Sequence, residues 1–506
     1  MISSHKIRIL SRKSDLAIIQ ARQVGSKLLE KFPKLKIEYI TKKTSGDIDL
    51  KTPLSEMGTE GVFTDDLRND LLANECDLAV HSWKDLPLDL GKNTVLAGSL
   101  KRADQRDILF IKKNKIYDII KNKSIKILSS SPRRMYNLKS FVKSYLPFKL
   151  NYIIFENIRG NIPSRFNKFL SGEADALVMA KAAVDRLLNN NIPELNEVAR
   201  LMKMNIEKCL WTITPLSQNP TSPGQGALGI EVRHDNKKLI NMIYLISDHE
   251  TVDSVNQERN ILKSYGGGCH QKIGVSYIPT HFGLIKIQKG ETDDGKKFYT
   301  WEKNENGRNL NIKIDKKFIY PSSLSKYKLF NRRYLEKNIN QVNSLLNHCV
   351  YISRSNALPV NAKIDSSNII WTSGIKTWES LAKKGIWVNG TSDGMGENTD
   401  ANVKNLTVNP WIKLTHVFAP KTNITKTIHT YILEELPIKE NISSKKFFYW
   451  MSSSAFNYVF SQYPEIINAY HACGPGNTYE AIKKVIKDPQ RLDIVLSYEA
   501  WRKKLL

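Results

Sequence analysis

The sequence predicts an α/β protein of several domains, and three observations predict it. Short β-branched runs alternate with amphipathic helical stretches from the first residues onward, the pattern of a largely parallel sheet covered by helices. The 506 residues exceed what one hydrophobic core organises and correspond to about three or four domains. Hydrophobic residues make up 41% of the chain, enough for real cores, yet no apolar run reaches the roughly 18 residues of a membrane span.

The elements follow in order. "KIRILS" (residues 6–11) alternates as a strand, and "SDLAIIQARQVGSKLLEKF" reads as an amphipathic helix capped by Ser14. "KLKIEYITK" is a strand and "VFTDDLRNDLLANE" a helix. "CDLAVHSW" is a buried strand running into "KDLP", where Pro87 blocks continuation. A second α/β unit begins near residue 107. There "SIKILSSS" is a strand emptying into serines, and "PRRMYNLKSFV" is a helix with Pro132 in its first turn. "GEADALVMA" is a further strand, followed by the helix "KAAVDRLLN". Residues 190–224 read as loop-rich and end in "PTSPGQGALGIEVR", a glycine loop feeding a strand. "HETVDSVNQERNILKSY" is a long helix that delivers the chain to "GGGC". "FGLIKIQKGETDDGKKFYTWE" is a hairpin around Asp294-Gly295, and "YPSSLSKYK" (residues 320–328) reads as a loop or linker. Beyond it lies a weak internal repeat. "IIWTSGIKTWESLAKKG" and "FFYWMSSSAFNYVFSQY" are each a strand, a hydroxyl-rich turn and a helix.

The net charge of +26 asks for anionic partners. Nucleic acid is the usual one for a basic chain, but no helix-turn-helix, zinc-finger or aromatic RNA-binding signature is present and the lysines are spread. A polyanionic small molecule accounts for arginines in particular motifs. The start lacks the apolar stretch and cleavage site of a signal peptide. Five cysteines without a CxxC pair indicate neither a zinc site nor a disulfide framework, and fit a reducing cytoplasm.

Candidate site residues gather at predicted strand ends and helix starts: Arg12 and Ser14; Ser129, Ser130, Ser131, Arg133 and Arg134; Arg159 and Arg165; Arg186. In "SSSPRR", hydroxyls, backbone donors and two arginines converge on one helix N-terminus, which makes an anion site. "HSWKDLP" puts Lys84 and Asp85 at a strand end. An aspartate there is either a turn former or a carboxylate stabilising positive charge on a substrate, and spacing leaves both open. Cys269 follows three glycines in "SYGGGCHQK". It is either a buried thiol in a tight turn or a thiol presented to a covalent partner.

Taken in order, "RILSRKSDLAIIQA", "TSGD", "HSWKDLP", "SSSPRR", "IRGNIPSR", "PGQGALGIE" and "GGGC" resemble the motifs of the porphobilinogen deaminase (hydroxymethylbilane synthase) family over residues 1 to about 340. The resemblance implies two periplasmic-binding-protein-like α/β lobes plus a small α+β cofactor-attachment domain. Domain 1 would span 1–106 and 225–245, domain 2 would span 107–224, and domain 3 would span 246–340. It implies a dipyrromethane cofactor joined by a thioether to Cys269. It also implies an enzyme that joins four porphobilinogen units head to tail, with loss of ammonia, and then frees hydroxymethylbilane. Each pyrrole carries an acetate and a propionate, so the growing chain is a polyanion. On this mapping Arg12, Arg133, Arg134, Arg159, Arg165 and Arg186 hold carboxylates, Ser129 and Ser131 assist, and Ser14 and Gln225 belong to the same binding set. Asp85 would face the pyrrole nitrogens and stabilise cationic stages, Lys84 would pair with cofactor carboxylates, and Phe63 would cover the reacting rings.

Departures from the family pattern are Glu56 and Glu60 in place of lysines, and Ala183 in place of a glycine. The expected partners are porphobilinogen and a polycarboxylate tetrapyrrole product, with no nucleic acid, membrane or metal, for a monomer. The region 345–506 resembles uroporphyrinogen-III synthase and is expected to be α/β. That likeness rests on the Ser/Thr turns, on "HACGPGNTYEAIKKV" and on "GIWVNGTSDGMGE", which is similar to the segment linking that family's two lobes. A bifunctional chain is implied, with a deaminase carrying a structural remnant as the alternative. A non-enzymatic two-lobed anion-binding module is a further rival. It would explain the arginines but neither Cys269 nor Asp85.

Overall fold

The computed structural model describes residues 6–44, 64–267, 271–303, 314–324 and 327–506. The chain divides into two compact units. One comprises Met1–Lys143, Phe148–Pro279 and Ile287–Thr300, the other Ser144–Pro147, Thr280–Lys286 and Trp301–Leu506.

The first unit opens with β1 (Lys6–Arg12), α1 (Asp15–Lys31), β2 (Lys36–Lys42), α2 (Asp65–Leu72), β3 (Leu78–Ser82) and β4 (Thr94–Gly98). A second α/β lobe follows as β5 (Asp107–Lys112), α3 (Ile116–Asn122), β6 (Ser124–Leu128), α4 (Pro132–Tyr145), β7 (Tyr152–Glu156), α5 (Ile162–Ser171), β8 (Ala176–Ala180), α6 (Lys181–Leu188), α7 (Asn196–Glu207) and β9 (Cys209–Ile213). The chain then supplies β10 (Leu228–Arg233), α8 (Lys237–Ile246) and α9 (His249–Ser264).

The first sheet has the order β2-β1-β3-β10-β4 and the second β7-β6-β8-β5-β9. In each, four strands run in one direction and one is reversed, β10 in the first sheet and β5 in the second. Local chemistry explains the elements. The α1 helix starts where the Ser14 hydroxyl accepts the Ala17 N–H at 3.4 Å, and buries Ala17, Ala21, Val24 and Leu28 at helical spacing. Ala21, Val24 and Leu28 pack with Ile9, Leu78, Val80 and Ile230 in one core. Strands β11 (Gly274–Thr280), β12 (Gly283–Glu291) and β13 (Lys297–Lys303) form a three-stranded sheet. Gly295, at φ +82°, turns the hairpin that Asp294-Gly295 predicts.

The C-terminal region continues with β14 (Ile319–Tyr320), β15 (Phe330–Tyr334), α10 (Glu336–Asn343), β16 (Cys349–Ile352), β17 (Ile369–Thr372), α11 (Ile375–Ala382), β18 (Gly390–Thr391), β19 (Trp411–His416) and β20 (Thr427–Glu435). It ends with β21 (Phe447–Trp450), α12 (Ser453–Gln462), β22 (Tyr470–Cys473), α13 (Asn477–Lys483), β23 (Leu492–Ile494) and α14 (Tyr498–Leu505). These strands make a six-stranded sheet, β15-β20-β19-β16-β17-β18, and a four-stranded one, β14-β21-β22-β23.

Four expectations are corrected. Residues 190–224 are less loop-rich than the sequence suggests, because α7 and β9 occupy 196–207 and 209–213. The α7 helix buries only Met202 and Ile206, too sparse an apolar stripe to stand out among Asn, Lys and Glu. Residues 320–328 do not link separate regions: those described after Tyr320 are loop, held within the C-terminal region. β14 pairs in parallel with β21, and the Tyr498 hydroxyl donates to Pro321 O at 2.8 Å. The C-terminal region therefore begins near residue 314 rather than 345, since β15 also pairs with β20. The "GIWVNGTSDGMGE" segment does not link two lobes. It supplies the edge strand β18, and the chain passes between the two sheets through β15 and β20.

Candidate functional site

The site grows from the carboxyl ends of parallel strands, where an open α/β sheet offers its ligands a crevice. Arg12 closes β1 and Ser14 caps α1. After β3 the chain makes a short 3-10 turn, Trp83–Asp85. Trp83 is the buried anchor, and its N–H donates to Ala227 O at 3.1 Å. That anchoring leaves Lys84 half-buried and Asp85 exposed. The Pro-Gly-Gln-Gly loop of residues 223–226 lies against this turn. Gly224 has φ +77°, and a Cβ there would stand 3.2 Å from Lys84 N, so only glycine allows the approach. Arg12, Ser14, Gln20, His81, Ser82 and Asp85 line one small pocket of about 70 Å³.

Beneath it lies a fully buried acid. Asp107 Oδ1 accepts from Arg134 Nη2 at 2.7 Å and from Gln225 Nε2 at 2.8 Å. Its Oδ2 accepts from Arg133 Nη2 at 3.0 Å, Arg134 Nε at 3.1 Å and Asn219 Nδ2 at 3.0 Å. Burial pushes the Asp107 carboxyl up, but the charges of Arg134 and Arg133 outweigh it and hold the group well below its ordinary value. Gln225 carries the chain of contacts upward, since its Oε1 accepts from Lys84 Nζ at 3.2 Å and from Arg134 Nη2 at 3.4 Å. Lys84 is pushed down to about 8, first by burial and then by Arg134, partly offset by Asp85 and Asp107.

Arg165 sits in the same field. Burial and then Arg134 lower it to about 10; Asp85 opposes the shift, while Arg159 and Arg12 add to it. Its Nε donates to Gly160 O at 2.6 Å. Arg12, Arg134, Arg159, Arg165, Lys84 and Asp85 are thus one electrostatic group.

Other candidates lie elsewhere. Arg133 was expected to grip a ligand carboxylate. Instead it is 3% exposed, and its donors go to Asp107, to Asn219 Oδ1 at 3.1 Å and to Pro220 O at 2.8 Å. Arg186 braces the glycine loop through Nη2 to Gly226 O at 2.9 Å, and burial lowers it to about 10. Ser129 is buried, and its hydroxyl accepts the Ser131 N–H at 3.3 Å. The Ser131 hydroxyl faces the Arg134 N–H at 3.5 Å, so both serines shape the start of α4. Cys269, Phe63, Glu56 and Glu60 lie outside the described residues.

Sequence reasoning missed Asp107, Glu231 and Glu258. Each is an acid fully buried in the fold, and a buried carboxylate must be paired. The signal was a lone acid inside an apolar run, as in "DILFIK" and "LGIEVR". Glu258 shows the outcome: it takes a bidentate Arg102 at 2.7 and 2.9 Å and the Gly224 N–H at 2.8 Å.

Residues 7–241 match the family described as "Porphobilinogen deaminase, dipyromethane cofactor binding domain". The porphobilinogen deaminase of Prochlorococcus marinus subsp. pastoris is 32% identical over 311 residues, covering 61% of this chain and 90% of that protein. The porphobilinogen deaminase of Chlorobaculum tepidum is 36% identical over 281 residues, covering 55% of this chain and 80% of that one. Among solved structures, a probable amino-acid ABC transporter extracellular-binding protein from Bacillus subtilis aligns with 52% of this chain and 97% of its own. The TM-score is 0.26 and the identity 12%.

Proposed function

The chain belongs to the porphobilinogen deaminase family, and on that footing we propose that it joins four porphobilinogen molecules into hydroxymethylbilane, releasing one ammonia per unit. The observation that carries the reading is the state of Asp85. Its carboxylate is exposed in a pocket shared with Arg12 and stands in the field of Lys84 and Arg165. An anionic group so placed stabilises positive charge developing on a pyrrole, while the surrounding cations take its carboxylates.

Dipyrromethane, held by a thioether on Cys269, would supply the pyrrole carbon to which the first unit is added. The residues described fit such a group. Lys84 and Arg165 stay cationic although burial opposes it, and each has only a neutral hydrogen-bond acceptor in Gln225 Oε1 or Gly160 O. Ligand carboxylates would complete them. Arg12, Arg134 and Arg159 would extend the same grip, with Ser14 and Ser131 shaping the turns beside it. Arg133, Arg186, Ser129 and Gln225 act one layer below, by holding those groups in place. The test is Cys269→Ser in the full chain. We expect folded protein without the two-pyrrole adduct in its intact mass and without turnover, and normal turnover would end the cofactor assignment.

We propose further that the C-terminal region closes hydroxymethylbilane to uroporphyrinogen III. What supports this is a pair of mainly parallel sheets with small or hydroxyl residues where strands meet helices. Ser373 and Gly374 stand between β17 and α11, and Ser452 caps α12, accepting the Ala455 N–H at 3.2 Å. Hydroxymethylbilane closes unaided to the symmetric isomer I, so product identity reports on this region. Full-length protein given porphobilinogen should form mainly isomer III. If only isomer I forms, the region is a structural remnant.

A further inference from the structure

The pocket at Asp85 holds one titratable side chain that the deaminase reading leaves without a task. His81, on β3, lines it together with Arg12 and Asp85 and is 5% exposed. Its Nε2 lies 3.0 Å from Glu231 Oε2 on β10, at ion-pair distance but off the line of a directed hydrogen bond.

Glu231 is fully buried, and its Oε1 accepts from Arg68 Nε at 2.7 Å and Thr94 Oγ1 at 2.6 Å. Burial alone would favour the protonated acid. The close approach and charge of His81, with the Thr94 and Arg68 bonds, instead bring Glu231 down to about 2. An ionised carboxylate therefore stands behind the imidazole at neutral pH. The other charged groups around this pair are Arg12 from β1, Asp85 after β3, and Arg68 and Asp65 from α2.

The chemistry calls for such a pair. Joining two pyrroles forms a C–C bond between the methylene carbon of one and a ring carbon of the other. The methylene C–N bond breaks, and its electron pair leaves with nitrogen as ammonia. The ring C–H bond breaks, and its pair restores the aromatic ring. One proton must therefore be accepted at the ring carbon, and ammonia finally carries it away as ammonium. Asp85 cannot take that proton and still oppose the positive charge on the pyrroles. A histidine that takes up this proton beside Arg12 and Arg68 needs a counter-charge fixed to it, and Glu231 is that charge.

We infer that His81, backed by Glu231, is the base that accepts the ring-carbon proton, so that Asp85 remains ionised throughout. This rests on the deaminase reading of the same pocket. The test uses full-length, cofactor-loaded protein with His81→Gln and Glu231→Gln. Intact mass checks loading, and hydroxymethylbilane formation by the unaltered protein checks the deaminase reading by itself.

His81→Gln should lower kcat by about 10²-fold or more, the range for a lost general base. It should also remove the acid limb of the kcat/KM profile while changing KM by less than about threefold. Glu231→Gln should move that limb to lower pH, because loss of the counter-charge favours the neutral ring. An NMR titration of the histidine rings in unaltered protein without substrate should place His81 at the pH of the limb, and it decides the matter if either variant fails to fold or load. The inference is overturned if His81→Gln keeps turnover within about threefold with the limb intact, or if the His81 ring titrates away from the limb. If the unaltered protein makes no hydroxymethylbilane, the deaminase reading fails first and this inference falls with it.

Discussion

The strand ends of the first unit and those of the C-terminal region are built from different donors. In the first unit a buried floor sets the single carboxylate of Asp107 against two guanidiniums, Arg133 and Arg134, and so keeps one positive charge in excess. Above it Arg12, Lys84 and Arg165 surround one exposed carboxylate. In the C-terminal region the donors at comparable positions are hydroxyls and glycine backbone. The buried cation Lys413 is already held by Glu397 at 2.5 Å, and the same Glu397 oxygen accepts from Asn477 Nδ2 at 3.0 Å. Gly396 and Gly476 meet so closely that a Cβ on Gly476 would lie 2.9 Å from Gly396 Cα. The difference teaches what each can hold. Several cations around one carboxylate would suit the proposed ligand, which gains two carboxylates at every step. Hydroxyls and close-packed glycines select by shape and release readily.

Four substitutions probe that contrast. The largest effect is expected at the floor. Arg133→Ala leaves Asp107 and Arg134 buried without their third partner, and breaking a buried pair costs about 3–5 kcal/mol. Chemical denaturation should show it, and a change below about 1 kcal/mol would mean that the floor is less interdependent than its geometry.

Asp85→Asn comes next. It keeps size but removes the charge, and preorganised electrostatic groups are worth about 10²–10³ in rate. A loss under about tenfold in loaded protein would move the catalytic role elsewhere. Arg165→Ala removes one charge-assisted grip, worth about 1.5–3 kcal/mol. It should appear as a raised KM for porphobilinogen with the fold unchanged, and an unchanged KM would place Arg165 outside the binding set.

The smallest effect on porphobilinogen consumption belongs to Gly476→Val. Valine resists φ +92° and collides with Gly396, so the proposed ring closure should fail while consumption continues. Isomer I should then replace isomer III. Continued isomer III would show that this glycine contact is dispensable.

Much of the first unit was legible in the sequence. Ser14, Pro132 and the alternation of β-branched runs with helices mark elements whose local preference and tertiary role agree. The arginines were legible as a class but not as individuals. Arg133 and Arg134 are neighbours in "SSSPRR", yet only the fold brings Asp107 and Asn219 to Arg133, from positions far along the chain. Glu231 and His81 were hidden for the same reason, since cross-strand register pairs His81 with Gly229 and so sets Glu231 diagonally beside it on the same face. The start of the C-terminal region was illegible because β14 is two residues long, and so short a strand carries no periodicity.

The place of β10 has a consequence for synthesis on the ribosome. It lies between β3 and β4, yet it is made only after the whole of the second lobe. The first lobe, begun earlier, thus waits with a gap in the middle of its sheet while the continuous stretch from β5 to β9 completes itself. The lobes mature in the reverse of their order of translation. Gln225, just ahead of the missing strand, arrives at the same moment to join Lys84 to Asp107, so a nascent chain gains its finished sheet and its anion-binding floor in a single event.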